Sequence, residues 1–280
     1  MSLDVLLIVL FAALLHALWN ALVRSSTDKL HGTLLIVWGS GALTAMLLPF
    51  LPLPAMQSWP YLAASVLIHV VYFSLLAFSY RQAELSFAYP IMRGTALALT
   101  ALAAALVLHE SPSMGGWTGI VLISCGVLVL AWGAWRAGTL TSAAVLPALG
   151  NALVIAAYTL VDGLGARLSD HALSYTGWIF LLTAPLMLLV ALALQGRTVL
   201  RHTFPAWRMG LLGGACTLAS YSLALWAMTR APIASVAALR ETSIVFAALL
   251  GALFLKESIN RLRATSILMV CAGAAAIKVF

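Results

Sequence analysis

Ten long apolar runs, separated by very short polar segments, make up nearly all of the chain. Apolar residues account for 63% of the sequence and charged residues for 8%, whereas about a quarter of a soluble domain is charged. Each run approaches the roughly 20 residues that a helix needs to cross a bilayer core, and its continuous apolar character does not fit the alternating strands of a β-barrel. The predicted spans are 3–24, 31–53, 60–80, 86–108, 114–135, 141–163, 172–195, 206–228, 232–255 and 262–280. The sequence therefore predicts an all-α integral membrane protein with ten transmembrane helices.

A segment in the first half of the chain recurs in the second half. Residues 89–126 align with residues 236–273 at a constant offset of 147, and 12 of the 38 pairs are identical. The polar identities are Arg93 with Arg240, Thr95 with Thr242, Glu110 with Glu257, Ser111 with Ser258 and Thr118 with Thr265. The recurrence predicts two related halves, 1–137 and 138–280, with five helices each. Because five is odd, the second half enters the membrane from the opposite side, so the halves are predicted to be inverted repeats.

Lysines and arginines are unevenly distributed between the loops. The loops after odd-numbered spans hold ten of them, namely Arg24, Lys29, Arg81, Arg136, Arg197, Arg201, Arg208, Lys256, Arg261 and Arg263. The even-numbered loops and the tail hold three, Arg167, Arg230 and Lys278. The positive-inside rule places the basic loops in the cytoplasm. Both termini are therefore predicted to face away from the cytoplasm.

The sequence contains little that indicates an enzyme, a nucleic-acid-binding protein or a metal site. His109-Glu110 is not followed by a second histidine at metalloprotease spacing, and no phosphate-cradling glycine loop or nucleophile elbow occurs. The three cysteines lie in apolar runs, where cysteine is usually a small core residue. The net charge of +7 follows the loops, so it does not indicate nucleic acid. The sequence predicts no enzyme, no cofactor and no metal.

Two arginines are predicted to lie deep in the membrane. Arg93 and Arg240 each follow the start of a span by about eight residues, roughly 12 Å along a helix. An arginine at that depth costs about 2.5–3.5 kcal/mol, so it needs a partner or a wet cavity. The planar guanidinium suits a carboxylate or phosphonate of a substrate. The alternative is a structural role, either as a helix cap or in an ion pair, for which Glu241 and Asp162 are candidate partners. Pro90 is expected to break the hydrogen-bond ladder of its helix just before Arg93, which frees backbone groups where irregular structure would line a cavity.

Three further groups are predicted to carry a coupling proton. His16 and His69 lie within apolar spans, and histidine titrates near neutral pH. Glu241 carries such a proton or neutralises an arginine across a helix interface. Interhelical hydrogen bonding is the alternative for the histidines. Asp162, near the predicted end of its helix, is expected at the membrane interface.

Aromatic and amide side chains accompany these groups. Trp19 and Asn20 lie beside His16, and spacing by four puts Tyr89 on the face of Arg93. The predicted substrate-binding set is Arg93, Arg240, Tyr89, Trp19, Asn20, Tyr72, Asn151 and Tyr158. Aromatic walls can hold an amine by cation–π attraction, although an aromatic in a membrane helix is more often packing.

One transporter family has the same arrangement. The features that carry the likeness are the motif His16-Ala-Leu-Trp19-Asn20 in the first span, Glu110 and Glu257 after the fourth and ninth spans, and the glycines Gly119, Gly126 and Gly273. With these features the chain resembles the drug/metabolite transporter superfamily, EamA branch. The resemblance covers nearly the whole chain. It implies export or import of amino acids, amines, nucleosides or other small metabolites. It also implies cytoplasmic termini, the opposite of what the charge count predicts. The Trp-Asn motif further resembles members found beside phosphonate-uptake genes.

These observations predict a secondary active transporter that works by alternating access. The predicted substrate is a small polar metabolite that is amino-acid-like, phosphonate-like or otherwise anionic or zwitterionic. The other expected partners are the lipid bilayer and a proton gradient. The protein is expected to be a monomer or a homodimer, and its expected location is a bacterial cytoplasmic (inner) membrane. The alternatives are an exporter of amine or drug-like cations, held by Glu241 and the aromatics, and a small-solute channel.

Overall fold

The structure is a computed structural model that describes residues 1–26, 28–82, 85–136, 142–254 and 259–279; the side chains at 29, 77–82, 85–89, 134, 142–144, 202, 204 and 254 lie outside the description. Within these ranges the chain forms twelve α-helices and no strand. The helices are α1 (Leu3–Ser25), α2 (Lys29–Leu47), α3 (Trp59–Gln82), α4 (Leu85–Val107), α5 (Met114–Arg136), α6 (Ser142–Leu168), α7 (Ala172–Gln195), α8 (Thr198–Thr203), α9 (Trp207–Met228), α10 (Ile233–Arg240), α11 (Ser243–Phe254) and α12 (Arg261–Val279).

Ten stretches of the described chain are long and apolar enough to cross a membrane. In lipid every backbone polar group must be satisfied internally, so continuous apolar runs of this length form helices. Large apolar side chains such as Leu106, Leu153 and Leu194 point outward, as expected where the surrounding solvent is hydrocarbon. The prediction of an all-α, ten-span membrane protein is confirmed. The short helix α8 was not predicted, and it lies in the loop between α7 and α9.

The ninth span, predicted to be continuous over 232–255, is interrupted between α10 and α11. At the interruption the amides of Glu241 and Thr242 bond to carbonyls three residues back, Ala238 and Leu239, and the Thr242 hydroxyl donates to Leu239 as well, at 2.7 Å. Such a tightened turn within a helix often marks a functional hinge. By contrast, α4 remains helical through Pro90, so the irregular backbone expected there is absent, although Pro90 itself donates no hydrogen bond to the helix.

Some of the helix pairings in the first half have an equivalent in the second half. Helix α1 packs on α9 and α6 packs on α3, while α5 pairs with α12 and α2 with α7. The α5–α12 contact is very close, because a Cβ added to Gly119 would lie 2.5 Å from the Gly273 carbonyl oxygen and one on Gly273 would lie 2.6 Å from the Gly119 oxygen. Glycine at these positions lets two helix backbones touch. This contact therefore joins the last helix of each half.

Candidate functional site

A cavity lined by aromatic, apolar and several polar side chains lies between the two halves. Its volume is about 60 Å³, enough for several water molecules. The lining residues come from eight helices and are His16, Trp19, Thr33, Ile36, Val37, His69, Tyr72, Phe73, Arg93, Tyr158, Phe180, Thr217, Ser220, Tyr221 and Arg240. Seven of the predicted site residues are in this set. The cavity therefore gathers side chains that the sequence scatters over more than 200 positions.

Arg93 is held by a carboxylate from the other half of the chain. Its Nε donates to Glu241 Oε2 at 3.2 Å, and its Nη2 forms an ion pair with Glu241 Oε1. Arg93 is 6% exposed and Glu241 is 5% exposed, so water hardly screens the pair. Glu241 sits at the break between α10 and α11, whereas Arg93 lies within α4. The pair thus fastens the interrupted span to the first half.

Arg240 has a different environment although it is the equivalent residue. Its side chain is also 6% exposed, but no described residue forms an ion pair with it, and its Nε has no hydrogen-bond partner among the described residues. The guanidinium carbon lies 5.3 Å from the centre of the Tyr221 ring. Arg240 is also the last residue of α10, where the carbonyl end of the helix dipole favours a cation. A buried guanidinium with an unsatisfied donor that faces a cavity is suited to bind an anionic group.

His16 is occupied by a neighbour on its own helix. Trp19 Nε1 donates to His16 Nδ1 at 3.3 Å, and the two rings meet edge to face. A second proton on His16 would remove that acceptor, and both Arg93 and Arg240 would repel its charge. Asn20 donates to the His16 carbonyl oxygen at 2.8 Å and does not line the cavity. This geometry favours a structural role for His16.

His69 faces a buried carboxyl that lies behind the cavity wall. Its Nε2 is 3.9 Å from Asp162 Oδ2, and the Tyr221 hydroxyl donates to the same oxygen. Asp162 is 0% exposed, so its expected position at the membrane interface is wrong. The reason is that α6 continues to Leu168, beyond the predicted end at 163, which puts Asp162 inside the helix.

Aromatic rings cover the same side of the cavity. The His69 and Tyr158 ring centres are 4.7 Å apart, Tyr72 lies 5.4 Å from Tyr158, and Tyr221 lies 6.4 Å from Tyr158. Two of these phenols, Tyr72 and Tyr158, belong to the predicted substrate-binding set. The cluster presents ring faces and hydroxyl groups next to Arg240.

Of the four predicted site residues that are not in the cavity lining, Asn20 and Glu241 are described above, Asn151 is buried elsewhere and Tyr89 lies outside the description. Asn151 is fully buried where α6 packs on α4, and its Nδ2 lies 3.1 Å from the Met92 sulfur. Among the described residues its Oδ1 has no partner. The side chain of Tyr89 lies outside the described part of the chain.

A second interhalf contact ties several helix ends together. Glu110 forms an ion pair with Arg167 and also accepts from the Ile233 backbone N–H at 3.1 Å, at the start of α10. Arg167 donates to the carbonyls of Met228 at 2.7 Å and Ala231 at 3.1 Å. The contact therefore satisfies backbone groups that the ends of α9 and α10 leave unpaired. Sequence reasoning missed Arg167, and the repeated Glu-Ser was the only signal of this cluster. The equivalent Glu257 lies outside the described residues.

Known proteins resemble this chain in sequence and in fold. The model of the EamA-like transporter family matches residues 4–132 and again residues 142–279. The multidrug resistance protein EbrB of Bacillus subtilis (strain 168) is 36% identical over 74 residues, a match that spans 26% of this chain and 62% of EbrB. A solved crystal structure of another protein superimposes with a TM-score of 0.79 at 17% identity, over 99% of this chain and 98% of that chain. This last likeness shows a shared fold.

The two family matches agree with the resemblance carried by the first-span motif and the repeated glutamates. They cover nearly all of a chain that forms ten apolar spans around a cavity. The chain belongs to the EamA-like transporter family.

Proposed function

We propose that this protein is a secondary active transporter for a small anionic or zwitterionic metabolite, with Arg240 as the contact for the anionic group. The observation that carries the proposal is a buried guanidinium without an ion-pair partner among the described residues, facing a cavity between the two halves. A carboxylate or phosphonate can accept two parallel hydrogen bonds from such a group. An amino-acid-like or phosphonate-like solute fits this chemistry.

Arg93 has a supporting role in this proposal. Because Glu241 already neutralises it, Arg93 orients the hinge of the ninth span and shapes the cavity wall. Trp19, Tyr72 and Tyr158 enclose the remainder of the solute. Their rings suit an apolar side chain, or the ammonium of a zwitterion by cation–π attraction.

Alternating access is the mechanism that we infer for the transport. The two halves share a constant offset and correspond in some of their helix pairings, and an odd number of spans in each half makes the repeat inverted. Rocking of one half against the other would expose the central cavity to each side in turn. A proton gradient is the proposed driving force, in a bacterial cytoplasmic membrane, with the protein as a monomer or homodimer.

From the distribution of lysines and arginines between the loops, we further propose that both termini face away from the cytoplasm. A fluorescent protein or a phosphatase fused after Phe280 tests this orientation. We expect phosphatase activity and no cytoplasmic fluorescence, because the positive-inside rule favours the ten-residue set of loop cations in the cytoplasm. The reverse pair of signals would contradict the orientation.

The substrate class is tested on the purified chain. Thermal shift across amino acids, phosphonates and amines should show stabilisation by compounds with an anionic group. The stabilising compound is then used in proteoliposomes loaded with unlabelled solute. Saturable counterflow of the labelled compound supports a carrier, whereas unsaturable conductance would make the protein a channel.

A second candidate function is the export of amine or drug-like cations. Two observations favour it: the aromatic cluster around His69 and the similarity to a multidrug resistance protein. Arg240→Met separates the two functions. An anion carrier loses binding in this variant, whereas a cation exporter keeps or improves it because a repelling charge is gone.

A further inference from the structure

Asp162 is an ionisable carboxyl group in a place that water does not reach. It is 0% exposed and does not line the cavity. The Tyr221 hydroxyl donates to its Oδ2, while its Oδ1 has no hydrogen-bond partner among the described residues. A carboxylate that leaves an oxygen unsatisfied in an apolar interior is costly, and a bound proton removes that cost.

His69 connects this carboxyl to the cavity. Its ring lines the cavity, and its Nε2 lies 3.9 Å from Asp162 Oδ2. On the other side of the ring, Nδ1 is 3.0 Å from the Ser65 carbonyl oxygen. The Ser65 hydroxyl lies 3.2 Å from the same nitrogen. In the tautomer that carries its hydrogen on Nδ1, this hydrogen is donated to the Ser65 carbonyl oxygen and the Nε2 lone pair is directed at Asp162. The 3.9 Å separation exceeds a hydrogen bond, so proton transfer requires the two side chains to move closer together.

The charged and titratable groups around Asp162 leave it with limited compensation. They are His69 of α3, Tyr158 of α6, Tyr175 of α7, Tyr221 of α9 and Arg240 of α10. The phenols are neutral, and Arg93 and Glu241 neutralise each other. Among the described residues, Arg240, whose guanidinium carbon lies 5.3 Å from the centre of the Tyr221 ring, is therefore the cation without an ion-pair partner that responds to the charge of Asp162.

We propose that Asp162 binds the coupling proton and that His69 relays this proton to the cavity. The inference rests on the proposed carrier function. In the loaded state Asp162 is a carboxylic acid and His69 is neutral. On release, the proton moves from Oδ2 to His69 Nε2 and then to cavity water, which leaves a carboxylate that attracts Arg240. Loading the proton thus leaves Arg240 available for the anionic group of the solute, so proton and anion favour each other's binding.

This assignment differs from the sequence-based prediction for the carboxylates. Glu241 was predicted to carry the proton, but both of its oxygens are engaged by Arg93. The Arg93 guanidinium compensates the negative charge of Glu241, and this favours the carboxylate over the protonated form. Asp162 has the neutral Tyr221 hydroxyl on Oδ2 and no hydrogen-bond partner on Oδ1 among the described residues. It is therefore the better proton acceptor of the two buried carboxyls in the described part of the chain.

Infrared difference spectroscopy of the full-length protein in lipid nanodiscs tests the proposal with the proton as the only ligand. We expect a C=O stretching band of a protonated carboxyl to grow as the pH falls and to shift in D2O. Asp162→Asn should lose the band, and Asp162→Glu, which keeps a carboxyl, should retain a shifted one. Glu241→Gln is the matched control and should leave the band in place.

The chain has eight aspartates and glutamates, so the band of Asp162 is identified by subtracting the Asp162→Asn spectra from those of the wild type. Two results would overturn the inference: a band that disappears in Glu241→Gln but persists in Asp162→Asn, and the absence of any carboxyl band from this difference. The relay is tested separately with His69→Gln, which should keep the band but slow its appearance after a pH jump; an unchanged rate would remove His69 from the path. Because no solute is used, failure here is distinct from failure of the carrier proposal, which is decided by counterflow.

Discussion

Arg93 and Arg240 occupy equivalent positions of the repeat, yet their surroundings differ. Arg93 lies inside a continuous helix and is bound by Glu241 from the other half. Arg240 ends a short helix at a break, stacks over Tyr221 and has an unsatisfied Nε among the described residues. The position equivalent to Glu241 in the first half is Gly94, so the second arginine has no corresponding carboxylate. The two halves thus carry two buried cations, of which one is paired with a carboxylate; we propose that the other is available for a ligand.

The largest effect is expected when the buried ion pair is broken. Arg93→Met leaves the Glu241 carboxylate buried without its partner, a change that costs about 3–5 kcal/mol when a buried pair loses one member. Thermal unfolding of the purified variant in detergent should show this loss. The double variant Arg93→Met/Glu241→Met should recover most of it, because both charges are then gone. A single variant as stable as the wild type would mean that the two residues do not depend on each other.

The same substitution at the equivalent position should have the opposite sign. Arg240→Met removes a buried cation that has no ion-pair partner among the described residues, so its desolvation cost disappears. We expect stability equal to or above that of the wild type, since at functional sites binding groups are often kept at the expense of stability. Unfolding in the same detergent measures this. A loss as large as that of Arg93→Met would show that Arg240 has a structural partner after all.

A smaller effect is expected at the partly exposed pair. Glu110 and Arg167 have side chains that are 22% and 27% exposed, so solvent screens their attraction more than that of Arg93 and Glu241. Glu110→Gln keeps an acceptor for the Ile233 N–H and removes the charge. We expect a loss of about 1 kcal/mol, near the upper end for exposed pairs. A loss as large as that at Arg93 would mean that the helix-end cluster, rather than the buried pair, is the main connection between the halves.

The sequence predicts well those features that depend on local composition. The ten spans follow from continuous hydrophobicity, and the depth of Arg93 and Arg240 follows from their distance to the span ends. The cavity set of His16, His69 and the two arginines was selected because polar groups in a membrane helix turn inward.

Features that depend on packing between distant segments could not be read from the sequence. Glu241 lies at the break between α10 and α11, and no proline or glycine at that break indicates it in the sequence. Pro90, the visible signal, left its helix intact. Asp162 was misplaced because the apolar run ends before the helix does, and Arg167 lies 57 positions from the Glu110 that it binds.

The central claim is that Arg240, and not Arg93, contacts the anionic group of the solute. Titration calorimetry with the solute identified by the thermal-shift screen tests it on Arg240→Lys and Arg93→Lys. Lysine keeps the charge but loses the planar fork, so binding to Arg240→Lys should weaken by about 2–5 kcal/mol, the range for a disrupted buried charge contact. Arg93→Lys should yield less folded protein, with the surviving fraction binding nearly as the wild type does. Wild-type affinity in Arg240→Lys, with loss of affinity in Arg93→Lys, would contradict the account.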